Sequence, residues 1–142
     1  MAVAANCYLA LSLRFDLIKD QILAILSIYA LGAFSAFTLT LIVAKLFGSY
    51  FASLPRWLVF GLILFTLTTL TIFITAGYFA LEYRRFYAAW HAPVFSKVWF
   101  FEQAFTTLGA YYQFAVLGLR LYLPATPFIV FLASIILSRR IS

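Results

Sequence analysis

Residues 21–44 read QILAILSIYALGAFSAFTLTLIVA, and no charged side chain interrupts them. At 1.5 Å rise per residue, a helix of that length covers the roughly 30 Å hydrocarbon core of a bilayer. The rest of the chain supports the same reading. It is 66% hydrophobic and 10% charged, where soluble domains average about 45–50% apolar and about 25% charged. A chain of 142 residues cannot hide that much apolar surface in water, because small domains leave a large share of their surface exposed. The expected fold is therefore an all-α integral membrane protein, one membrane domain over 1–142.

Working outward, Lys45 ends the first span and LFGSYFASLPR turns the chain, with Gly48, Ser49, Ser53 and Pro55 as turn-formers. A second uncharged stretch covers 57–81, with Trp57 at its edge, where an amphipathic ring belongs. EYRRFYAAWHAPVFSK, 82–97, is the extended polar loop, and a third span is expected over 98–119. Arg120 stops it, and a short fourth span follows over 121–138, with Pro124 and Pro127 near its start. Before the first span, residues 1–20 are read as an interfacial segment leading into it. MAVAANCYLALSL has neither a basic n-region nor a small-residue cleavage site, so no signal peptide is expected.

Four spans put both termini and the 82–97 loop on one side. That side would hold Arg14, Lys19, Arg84, Arg85, Lys97, Arg139 and Arg140, against Lys45, Arg56 and Arg120 opposite. The positive-inside rule then places the termini and loop in the cytoplasm, matrix or stroma. The net charge of +6 suits anionic lipid headgroups. No segment is long enough to build the solvated basic face that nucleic acid would need. Cys7 is the lone cysteine, so an internal disulfide and a cysteine metal cage are excluded.

The third span carries the sharpest chemical question. KVWFFEQAF, 97–105, sets Glu102 and Gln103 inside an aromatic run. On a helix, Glu102, Thr106, Gly109, Gln113 and Arg120 fall within roughly 40° of one line, a polar seam that should face protein or water. Glu102 lies roughly 7–8 Å beyond Lys97, near the interface. The plain expectation is a packing seam in which Glu102 pairs with a basic loop residue. The sharper one is a proton or ion path through Glu102 and Gln113. On span one, Gly32, Ala36, Thr40 and Ala44 recur every four residues, a spacing that lets helix backbones approach closely, within the bundle or against another subunit.

Thr66, Thr68, Thr69, Thr71 and Thr75 in span two are expected to bond back to the preceding turn. His91 without an acid or cysteine beside it is a poor metal site and reads as an interfacial polar residue next to Trp90. Arg84 and Arg85, with Arg139 and Arg140, are expected at lipid headgroups or a partner. Enzyme signatures such as G-x-S-x-G, H-E-x-x-H and a phosphate-cradling glycine loop are absent.

The expected role is therefore non-catalytic: a small accessory or scaffold subunit within a larger membrane complex, with other membrane subunits and anionic lipids as partners. No cofactor is expected beyond structural lipid. An energy-converting membrane such as the mitochondrial inner membrane is the favoured home. The alternative is a small homo-oligomeric transporter or channel. A lipid-modifying enzyme ranks third.

Overall fold

The computed structural model describes residues 1–13 and 19–141. Among them the chain is helical, with no strand. The helices are α1 (Ala2–Leu13), α2 (Lys19–Leu46), α3 (Gly48–Ala52), α4 (Arg56–Tyr87), α5 (Lys97–Gln113) and α6 (Thr126–Ile141). A 3-10 turn, Ala88–Trp90, extends α4. A π turn, Phe114–Gly118, and a 3-10 turn, Leu119–Tyr122, extend α5.

α2 and α4 form the axis of the molecule, packed antiparallel across the short α3 connection. A Cβ on Gly32 would stand 2.0 Å from Thr75 Oγ1, so only glycine permits this approach. Ala36, Thr40 and Ala44 continue the same stripe and are buried. The hydroxyls of Thr40, Thr71 and Thr75 donate to carbonyls one turn earlier, which lets polar side chains sit in an apolar seam.

Large apolar side chains cover the outside, with Leu23, Phe34, Phe65, Phe73 and Phe105 each more than 65% exposed. An outer surface of this kind is consistent with a membrane protein. Two helices, Ile22–Leu46 and Arg56–Trp90, are long and apolar enough to cross a bilayer. Lys97–Tyr122 and Thr126–Ile141 make a bent pair, 74° apart, which adds a third if the pair is counted as one.

That bend changes the expected layout. α5 and α6 lie end to end along α4 and run antiparallel to it. Gln103 meets Arg84, Phe114 meets Phe79, Tyr122 meets Thr71 and Phe131 meets Phe60. Arg139 then shares a surface hollow with Arg56 and Trp57. Arg139 and Arg140 therefore lie at the α3 end, away from the 82–97 loop. The reason is local: the break at 123–125 turns the chain by 74° instead of reversing it.

Other boundaries move too. Charge at Glu82 and Arg85 ends the hydropathy window but not the helix, so α4 runs on to Tyr87 and the loop shrinks to 91–96. Ser96 begins α5 by accepting a bond from the Trp99 N–H at 3.1 Å, a helix-capping contact. α1, the described part of the segment read as interfacial over residues 1–20, buries one face against the bundle. Val3, Cys7 and Leu11, at four-residue spacing, pack into one core with Ile28, Tyr29, Ala76, Phe114 and Tyr122. Part of that segment, 14–18, lies outside the described residues.

Candidate functional site

Two polar clusters stand out. The first holds the loop after α4 against α5. Arg84 Nε–H donates to Gln103 Oε1 at 2.6 Å, and Gln103 Nε2 lies 2.8 Å from His91 Nδ1. His91 Nε2 is 3.1 Å from Thr106 Oγ1. The directions are forced from one end. Arginine only donates, so it fixes the Gln103 oxygen toward itself and the Gln103 amide N–H toward His91. His91 then accepts at Nδ1 and carries its proton on Nε2, which donates to Thr106. One residue away, Glu102 Oε2 accepts the Ala92 N–H at 2.7 Å.

Glu102 therefore caps a loop backbone group and is not paired with a basic loop residue, as the plain packing expectation had it. Among the described residues the ion pair is Arg85 with Glu82, at 3.7 Å and well exposed. Pairs of that kind contribute little. Arg84, expected at headgroups with Arg85, is instead committed to Gln103 and half-buried. Arg139 and Arg140 remain exposed at the far end.

The structure does not gather the seam into one line of contacts. Glu102 and Thr106 serve the loop, and Gln113 donates to the Tyr83 hydroxyl at 3.3 Å. A Cβ on Gly109 would meet nothing within 4 Å, so no helix presses on that face. Arg120 is exposed on the 3-10 turn, level with Tyr29, Thr71 and Thr75. Gln103 and His91, left off the seam by the sequence reading, are the centre of the cluster. Their signal was proximity of an amide, an imidazole and an arginine across one short loop.

The second cluster was missed. Asn6 on α1 is 4% exposed and answers the backbone of the break. Its amide nitrogen donates to the Leu121 and Tyr122 carbonyls and to Thr126 Oγ1, at 3.0, 2.9 and 3.0 Å. Its carbonyl accepts the Ala125 N–H at 2.9 Å. Beside it, the Tyr29 hydroxyl donates to the Gly118 carbonyl, and the Tyr122 hydroxyl donates to that of Thr71. Backbone released from a helix in an apolar setting must find partners; Asn6 and Tyr29 supply them, and Tyr122 ties the turn to α4. A lone Asn in the apolar run MAVAANCYLA was the available signal.

Among the described residues, no three His, Cys, Asp or Glu side chains are grouped to hold a metal. No buried side-chain polar atom there lacks a hydrogen-bond partner. The chain matches no protein-family model, no curated protein and no solved structure.

Proposed function

We propose that the chain crosses the membrane three times, through α2, α4 and the broken pair α5–α6, and serves as a non-catalytic accessory or scaffold subunit of a larger membrane assembly. One observation carries this reading. The polar groups set into apolar sequence are spent on internal bonds: Glu102 on the Ala92 N–H, Gln103 on Arg84 and His91, Gln113 on Tyr83, and Asn6 on the break. Glu102 answers a backbone N–H here, not another ionisable side chain of the kind that builds a proton relay. Groups that hold loops and helix ends in place suit a rigid packing unit.

The outer face of α5 adds support. Phe101, Phe105, Leu108 and Tyr112 recur at helical spacing and are exposed, a stripe available to a neighbouring helix. The favoured home is an energy-converting membrane, where small polytopic subunits of this kind pack around catalytic ones.

The test is the native mass after extraction in mild detergent, with identification of co-migrating proteins. The 16.1 kDa chain is expected in a particle many times its own mass, together with other proteins. A chain that migrates alone as a dimer or small oligomer overturns the subunit reading and returns attention to transport.

A further inference from the structure

The bend creates a recess as well as a break. Between α4 and the junction of α5 with α6 lies a cavity of about 420 Å³. Leu64, Thr68 and Thr71 of α4, Leu119 and Tyr122 of the 3-10 turn, and Phe131 of α6 form its walls. That volume falls among ligand pockets, which run about 300–1,000 Å³. Its polar groups are few and mostly engaged: Thr71 bonds back to Leu67, and the Tyr122 hydroxyl bonds to Thr71. What remains is a slot for hydrocarbon.

A charge stands beside the recess, on the neighbouring face of the turn. A 3-10 helix turns once in about three residues. Leu119 and Tyr122 therefore share the face that lines the recess, Leu121 turns toward the core, and Arg120 takes the remaining, exposed side. Arg120 is level with Thr71 and Thr75, six to ten residues inside Leu81, or roughly 9–15 Å from the end of the apolar stretch. A guanidinium at that level needs a counter-charge. Glu82 and Glu102 both lie at the loop end, and neither forms an ion pair with Arg120. Arg120 starts 18 residues after Glu102, roughly 27 Å along the helix.

We infer that this recess binds an anionic phospholipid, with one acyl chain in the slot and the phosphate on Arg120. The polarity of the site fits a lipid of the leaflet at the loop end. From Leu119 and Tyr122, the slot runs toward Phe131 and Leu64, away from that surface. The long arginine side chain reaches back toward the interface. Its planar fork matches two phosphate oxygens. The inference holds whether the protein works alone or in an assembly, and requires only that it sits in a bilayer.

The test uses the full chain purified in neutral detergent and offered phosphatidylglycerol or phosphatidylcholine, with retained lipid read by native mass spectrometry. Phosphatidylglycerol should be retained in preference. Arg120→Gln should lower its retention about tenfold or more, the effect of losing a charged hydrogen bond, and Arg120→Lys should restore part of it. Thr68→Phe, at an exposed wall position, should lower retention of both lipids by filling the slot. Arg139→Gln, at the far end, should change neither.

Equal retention of the two lipids by the parent protein overturns the proposal. So does a phosphatidylglycerol preference that survives Arg120→Gln. If Arg120→Gln releases a partner protein while lipid retention is unchanged, the counter-charge is a partner carboxylate, and the lipid site fails. Because Arg120 is exposed, its variants remain informative even if Thr68→Phe misfolds, which circular dichroism would reveal.

Discussion

The two polar clusters do similar work under different conditions. At the loop end, Arg84, Gln103, His91, Thr106 and Glu102 hold residues 88–96 in a half-buried setting. A broken bond there can be replaced by water. At the break, Asn6, itself buried, bonds to residues 121–126, among which Tyr122 and Thr126 are buried. Water cannot replace it there, and the groups it satisfies belong to the backbone, which no substitution removes. Similar chemistry is therefore adjustable in one place and obligatory in the other. The number of bonds matters less than what would answer the groups if those bonds were lost.

Asn6→Leu breaks this contrast most sharply. It strips the Leu121 and Tyr122 carbonyls and the Ala125 N–H of their partner, each worth about 1–3 kcal/mol when buried. Destabilisation of about 3 kcal/mol or more is expected in detergent unfolding. A loss below about 0.5 kcal/mol, the usual range for surface substitutions, would show that the break supports itself. Next in size is Gly32→Ala, which forces Thr75 and its helix aside and should cost about 1–3 kcal/mol by overpacking. Thr75→Ala in the same chain should recover part of that loss, and simple additivity of the two changes would argue against the contact.

At the loop end the effects should be smaller and local. Gln103→Leu removes two bonds and should cost about 1 kcal/mol. Faster hydrogen exchange is expected over residues 88–96, with α2 and α4 unchanged. Smallest is Glu102→Gln, because an amide oxygen can still accept the Ala92 N–H. Its stability should stay within about 0.5 kcal/mol of the parent, with assembly intact. If this neutral substitution abolished a transport activity while assembly survived, the proton-path alternative would replace the subunit reading.

Hydropathy revealed α2 and α4 because each is one uninterrupted apolar run. It could not reveal the geometry of α5 and α6. LGLRLYLPATP is apolar on both sides of Arg120, and a window of hydropathy measures length without direction. Whether such a segment reverses or merely bends depends on what meets it, and that is Asn6, far away in sequence. The side on which Arg139 and Arg140 fall depends on that single turn. Gln103 escaped the seam because α5 has two neighbours at once: Glu102 and Thr106 meet the loop, while Gln103 also reaches Arg84 on α4. One line on a helix wheel cannot describe a helix pressed from two directions. The stripe at Gly32 was visible because close approach leaves a trace in residue size, but the sequence did not show that its neighbour is Thr75.

Asn6 meets partners 115 to 120 positions further along the chain. A ribosome must therefore add at least 115 residues after Asn6 before this side chain can be satisfied. Until then α1 carries an open amide, and the bundle around it cannot close. A chain cut short before Leu121 would keep that group exposed to any quality-control factor that reads polar groups in the bilayer. The apolar face of α1 can meet α2 early, but its one buried amide is answered only when the break arrives.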